Sequence, residues 1–280
     1  MRILIAGGTG VLGRAIIPLL VAGRHEVAAT TRAPAKTALV RDLGATPVVA
    51  DAFSRETLNI AIADTQPEVV IHLLTDLTSG NSASNARLRT VGTRSLVDAA
   101  KAHQVPRIVA ESISWIYPPG STPATETDPL DLNADEPRHT TISGVDALES
   151  AVRELPHSVV LRLGQLYGPG TWYAPGGRFA ADAHEGRLPA TPTVASLLHI
   201  DDAAAAVADA LTWDNGTYNI VDDDPAPGTQ WVPRFATSVG APLPAHIDTA
   251  DIGRPVSNAA ARAAGLTLRY PSWRDGFFVR

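Results

Sequence analysis

The sequence predicts an α/β fold, a doubly wound parallel sheet followed by a small C-terminal lobe. Short apolar runs alternate with segments of helical period from residue 2 to residue 112, which is the pattern of strand–helix units in a parallel sheet. The first run ends directly in a glycine-rich loop that opens a helix. After residue 115 prolines, acids and aromatics break the regular alternation, so a division near residue 165 is expected, with 1–165 as the main domain and 166–280 as a lobe that sends segments back to the sheet.

Residues 2–6 (RILIA) are apolar on both faces, as in a buried parallel strand. Residues 11–22 place Val11, Leu12, Ala15, Ile16, Leu19 and Leu20 at helical spacing. Pro18 within that stretch predicts a kink, and Gly23 a stop. Strands follow at 26–31, 46–50, 68–74 and 107–112, with helices at 35–43, 54–63 and 86–103 between them. Residues 117–137 read as a surface loop. A helix at about 139–154 and a strand at 158–163 complete the main domain. Beyond them come a turn-rich stretch at 168–177, strands near 194–200 and 217–221, and a helix near 201–212, with Asp201 as its cap. The run Asp222-Asp223-Asp224 before Pro225 reads as a turn.

Composition narrows the function. The 280 residues carry a net charge of −6 with no basic stripe, which argues against nucleic acid. There is no cysteine, so disulfides, thiolate metal sites and a cysteine nucleophile are excluded. No apolar window reaches the length of a membrane span. The N-terminus lacks the pattern of a signal peptide, so a cytoplasmic protein is expected, as a monomer or homodimer. His199 with Asp201 and Asp202 is the one cluster that resembles a metal site, and the helix-cap reading is preferred, so no metal is expected.

The loop Gly7-Gly8-Thr9-Gly10-Val11-Leu12-Gly13 carries the cofactor reading. Its glycines permit a tight turn, close approach of backbone to a pyrophosphate, and close packing of helix on strand. The helix start offers free N–H groups and positive dipole to the phosphates. Strand, loop and helix together make this a Rossmann dinucleotide site. The second strand ends Thr30-Thr31-Arg32, without the acid that commonly holds the ribose hydroxyls of NAD. An arginine there suits a 2′-phosphate, which favours NADPH, with NADH as the alternative. Thr31 and Arg32 are therefore cofactor candidates, with Asp51 beside the adenine and Leu73 and Leu74 walling the channel.

Together with the glycine loop, His72-Leu73-Leu74, Val91-Gly92-Thr93, Leu166-Tyr167-Gly168-Pro169-Gly170 and Leu198-His199-Ile200-Asp201-Asp202-Ala203 resemble, in order, the extended and atypical short-chain dehydrogenases/reductases. That branch includes the sugar-nucleotide epimerases, and the resemblance implies nicotinamide-dependent redox chemistry in an enzyme. In the family the proton is moved by Tyr-x-x-x-Lys with a serine or threonine beside it. Only Lys36 and Lys101 occur here, preceded at that spacing by Arg32 and Val97, so the motif is absent. Aligned on Glu149, the tyrosine and lysine positions hold Thr141 and Val145. Ser112 and Ser114 are the remaining catalytic candidates, expected to share a face if the strand stays regular.

Within the branch, the chain is similar to atypical reductases that lack the triad and act on angucyclinone-like aromatic polyketide ketones in antibiotic biosynthesis. The resemblance implies a small-molecule aromatic ketone as substrate, with Trp115, Tyr167, Trp172 and Tyr173 as candidate contacts. The proton would then come from serine, from water or from the substrate itself. A sugar-nucleotide epimerase or dehydratase, and a non-catalytic NADP(H) sensor, are the other readings.

Overall fold

The computed structural model describes residues 1–76 and 82–278. The first apolar run forms β1 (Arg2–Ala6), buried from Ile3 onward, and passes through the glycine loop into α1 (Val11–Ala22). Pro18 lies inside α1 on an exposed position, and the helix continues past it to Ala22. Gly23 closes α1 with φ −71°, so it is not the left-handed residue; Arg24 takes that conformation, at φ 61°. β2 (Glu26–Thr31) leads into a short 3₁₀ turn at Pro34–Lys36 and α2 (Thr37–Asp42), where one helix had been expected. β3 (Thr46–Val49) is followed by α3 (Arg55–Thr65), whose first turn is capped by Ser54 accepting from the Thr57 N–H.

β4 (Val69–His72) is buried along its whole length. The long helix expected at 86–103 begins earlier and is interrupted: α4 (Ser82–Arg87), a π turn at Leu88–Gly92, then α5 (Thr93–Ala102). Such π turns insert one residue into the helical path and occur often at functional sites. β5 (Arg107–Ile113), α6 (Arg138–Val152) and β6 (His157–Leu163) follow.

Along the remaining chain come β7 (Gln165–Tyr167), α7 (Arg178–His184), β8 (Val194–Ala195), β9 (Leu197–His199) and α8 (Ile200–Asp209). β10 (Gly216–Ile220), β11 (Ala226–Pro227), α9 (Gly228–Ser238), α10 (Ala259–Ala263) and α11 (Trp273–Gly276) complete the elements.

Seven strands form one sheet in the order β10-β6-β5-β4-β1-β2-β3. The pairs β1–β2, β1–β4, β2–β3 and β4–β5 are parallel, with Ile3 opposite both Val27 and Val69. The strand order reverses between β1 and β4, and in such sheets ligands bind outside the carboxyl ends of the strands at that point. Leu4, Val70, Ile108 and Val160 pack against Ile62, Leu96 and Leu148 in the main core.

The chain divides into two compact units, and the division is not the single cut near residue 165. The first unit takes 1–112, 131–161 and 207–217, and the second takes 113–130, 162–206 and 218–280. The chain leaves the first unit at the carboxyl ends of β5 and β6, because those strands run straight on into segments of the second. Within the second unit β7 pairs with β9 and β8 with β11. Its core gathers Tyr167, Trp231, Phe235 and Trp273. The tail is fastened by two buried carboxylates: Asp202 accepts from the Arg269 and Tyr270 N–H groups at 2.8 and 2.9 Å, and Asp222 from the Trp273 N–H at 3.0 Å. Among the described residues no helix is long and apolar enough to cross a membrane.

Candidate functional site

The glycine loop has the shape of a phosphate cradle. Gly7 sits at φ +100°, and a Cβ there would lie 2.5 Å from the Leu73 carbonyl oxygen. A Cβ on Gly13 would lie 2.6 Å from the Gly7 oxygen, so the loop must pack on the start of α1 without a side chain between them. Thr30 holds the loop to β2, its Oγ1 accepting from the Gly7 N–H at 3.2 Å. Gly10, the residue before α1, is exposed and supplies no side-chain cap, so the first N–H groups at Val11, Leu12 and Gly13 remain available to an anion. These residues fit the pyrophosphate of a dinucleotide, with Thr9 partly exposed beside them.

The end of β2 separates two candidates. Thr31 is buried and its Oγ1 accepts from the Ala33 N–H at 3.2 Å, so it shapes the turn. Arg32 is exposed and makes no hydrogen bond or ion pair with a described residue. Asp51 is also exposed; its Oδ1 accepts from the Phe53 N–H at 3.0 Å and orders the turn after β3. Leu73 is buried with its N–H donated to the Ala6 carbonyl at 2.8 Å, while Leu74 is partly exposed.

Next to Leu73 a buried polar group fixes the end of β4. His72 Nδ1 accepts from the Leu74 N–H at 3.2 Å, so its Nε2 carries the proton and donates to Thr93 Oγ1 at 2.8 Å. Burial lowers the imidazole to about 4, so it is neutral near pH 7.

Ser112 and Ser114 do not share a regular strand face, because β5 ends at Ile113. Ser112 is buried and donates to Glu149 Oε1 at 2.8 Å; Glu149 Oε2 in turn accepts from Arg153 at 2.8 Å. Ser112 is thus tied to α6. The Ser114 hydroxyl makes no hydrogen bond with a described residue, while its N–H donates to the Leu163 carbonyl at 2.9 Å. On α6 Thr141 is partly exposed, and Val145 is completely buried.

Two residues that sequence reasoning passed over stand close to these. Arg89, on the π turn, is only 4% exposed. Its electrostatic neighbours are Glu111 on β5 and Glu149 on α6. Burial pushes the Glu111 carboxyl up to about 7, an effect that Arg89 partly offsets. An arginine inside a helix of strongly amphipathic period was the available signal for Arg89. Glu111 had none beyond an acid at the carboxyl end of an apolar strand.

In the second unit the aromatic candidates diverge. Tyr167 is fully enclosed, its ring against His199 and Phe277, and its hydroxyl has no hydrogen-bond partner. It is a packing residue of this unit, not a ligand-facing one, because no part of it reaches the surface. Tyr173 packs on Phe179, Trp231 and Phe235 and donates to Gln165 Oε1 at 2.9 Å, which makes it largely core as well. Trp172 is partly exposed with Arg178 5.2 Å above its ring. Trp115 is 42% exposed, the most open of the four. His199, not Asp201, caps α8, through Nδ1 accepting from the Asp201 N–H at 3.1 Å. The acid run is a turn, as expected: Asp222 Oδ1 accepts from the Asp224 N–H at 3.2 Å.

Comparison with known proteins agrees with this geometry. The model of the NAD dependent epimerase/dehydratase family matches residues 3–221. A 3-diazoavenalumate denitrifying reductase from a Streptomyces species is 40% identical over an alignment of 309 positions, covering 99% of both chains. A quinoline-oxide ketoreductase from Stigmatella aurantiaca is 32% identical over 122 residues, 43% of this chain and 36% of its own. Among solved structures, the UDP-glucose 4-epimerase of Thermotoga maritima has the same fold, with a TM-score of 0.81 at 19% identity over 99% of this chain and 96% of its own.

Proposed function

The chain belongs to the NAD dependent epimerase/dehydratase family and is an enzyme, and on that premise we propose that it is an NADPH-dependent reductase that delivers hydride to an activated, conjugated aromatic acceptor without a tyrosine–lysine proton pair. One observation supports this reading: Thr141 and Val145, the positions that alignment on Glu149 gives to the family's pair, are a partly exposed threonine and a fully buried valine on α6. A bound reduced nicotinamide supplies the hydride. The chain's own part is to hold that cofactor through Gly7, Gly10 and Gly13, to present Arg32 to a 2′-phosphate, and to keep the end of β4 rigid through His72 and Thr93.

An ordinary ketone that accepts hydride becomes an alkoxide and needs a proton, to which a positioned acid contributes about 10²–10⁴-fold. Two acceptor classes escape much of that need. In a quinone-conjugated ketone, such as an angucyclinone, the charge spreads over the ring system. In an aryl diazonium group, the hydride pair forms the new bond to carbon while the C–N pair departs with N₂, and no alkoxide arises. The 40% identical relative is by name a denitrifying reductase of a diazo aromatic, which supports the second class. The quinoline-oxide ketoreductase supports the first. Where a proton is still required, Ser114, water or the substrate provides it. A sugar-nucleotide epimerase oxidises an unactivated hydroxyl and needs the base that Thr141 cannot replace.

The test is turnover. With NADPH and an o-quinone diazide or angucyclinone ketone, cofactor oxidation at 340 nm with release of N₂ or formation of the alcohol is expected, and Gly13→Val abolishes it. Absence of NADPH oxidation with both acceptor classes overturns the reading.

A further inference from the structure

Arg89 is the outstanding unexplained group of the first unit. A guanidinium carries five N–H donors, and placing it out of water is unfavourable unless those donors are used. This one is 4% exposed, yet it makes no hydrogen bond and no ion pair with any described residue. Its two acidic neighbours do not use it. Both Glu149 oxygens are engaged elsewhere, Oε1 by Ser112 and Oε2 by Arg153. Glu111 lies near enough to act on the charge, but forms no hydrogen bond or ion pair with it. The position is also unusual in backbone terms. The π turn at Leu88–Gly92 packs against α6, and Arg89 sits beside the residues that end β4 and β5, where open α/β sheets bind ligands.

Resting on the reductase reading, we propose that Arg89 is a substrate-anchoring residue, which receives a planar oxyanion of the aromatic acceptor, a carboxylate or a ring-conjugated phenolate, through the paired N–H donors of its guanidinium. Arginine suits this because its planar fork matches a two-oxygen anion, and low exposure strengthens the pairing. A neutral polyketide ketone would leave the cation unanswered, so the substrate class narrows to acidic aromatics.

The experiment uses the full chain saturated with NADPH, and trans-cinnamate, its neutral amide and inorganic phosphate as probes, titrated by calorimetry. Wild type is expected to bind cinnamate at least tenfold more tightly than cinnamide. Arg89→Met should lose that preference, with NADPH affinity unchanged and a melting temperature equal to or above wild type, since the buried charge has gone. Arg89→Lys should keep part of the preference and, with Arg89→Gln, replaces the Met variant if it fails to fold. Equal binding of cinnamate by wild type and Arg89→Met overturns the proposal, as does a wild type without preference for the anion. Phosphate competing with cinnamate at equal affinity overturns it too, because the site would then be one for any anion. A chain that does not bind NADPH overturns the reductase reading instead, a result distinguishable from all of these.

Discussion

The Ser112 hydroxyl donates to Glu149 Oε1 across 2.8 Å, with both residues buried. A serine bonded to a carboxylate of the neighbouring helix holds that helix to the sheet. Ser112→Ala is therefore expected to destabilise the protein by about 1–3 kcal/mol in urea unfolding, the cost of a buried hydrogen bond to a charged group left half made. Ser114→Ala, whose hydroxyl has no such bond, should change stability by under about 0.5 kcal/mol. Its turnover should stay within about tenfold of wild type, or about 1.4 kcal/mol of barrier. A fall of a thousandfold would make Ser114 the essential acid.

Installing a tyrosine–lysine pair at Thr141 and Val145 is expected to fail at the lysine. Val145 has no exposed surface. Val145→Lys places an unpaired ammonium in the core of α6, at a cost on the order of 3–5 kcal/mol. Thermal unfolding of that variant should show it, while Thr141→Tyr alone, at a partly exposed position, should be tolerated.

On the proposed reading, Arg32 is the residue that favours NADPH over NADH. It is exposed and unpaired among the described residues, so its removal should leave stability unchanged. Loss of a charge-assisted bond worth about 1.5–3 kcal/mol should weaken NADPH binding roughly ten- to hundredfold. NADH binding should change little. Fluorescence titration of both cofactors against Arg32→Ala measures the ratio.

Two groups beside Arg89 give opposite slopes of stability with pH. His72 is lowered by burial from 6.5 to about 4. As pH falls through that interval the unfolded chain takes up a proton that the folded chain refuses, so stability is lost on acidification. Glu111 is raised from 4.5 to about 7. As pH rises through that interval the unfolded chain releases a proton that the folded chain keeps, so stability is lost on alkalinisation. The charged group that bears on both is Arg89 on the π turn. Urea midpoints of wild type, His72→Gln and Glu111→Gln between pH 4 and 8 should separate them. Wild type should lose ground to His72→Gln towards low pH and to Glu111→Gln towards high pH.

Trp273 is fully buried, with its N–H on Asp222 and its indole Nε1 on the Asp224 carbonyl at 2.7 Å. Trp273→Ala should cost about 3–5 kcal/mol through the cavity it leaves. Differential scanning calorimetry should register this as a lowered transition.

Much of the first unit was legible because its signals are local. Strands of four to seven residues stood out as continuous apolar runs, and β2 at Glu26–Thr31 has the bounds its residues imply. The glycine loop was legible because each glycine meets a definite steric demand. The π turn at Leu88–Gly92 was not, since a single inserted residue leaves the apolar period of the flanking helices almost intact. Arg89 and Glu111 were missed for a related reason: their meaning depends on which strand and helix ends converge, which is a property of topology. Tyr167 was misread because an aromatic beside a glycine turn looks the same whether it faces a ligand or a core. Asp201 gave way to His199 as the cap of α8 because the ring of the preceding strand reached the free N–H first.

The interleaved division of the chain also bears on how such enzymes diversify. The second unit is built from 113–130, 162–206 and 218–280, so no single contiguous exchange can transplant it. A recombination that swapped only the last third would join unequal parts of two different second units. New specificities in that unit should therefore arise by point substitution, at positions such as Trp115, or by duplication of the whole gene, and chimeric engineering must splice at all five junctions at once.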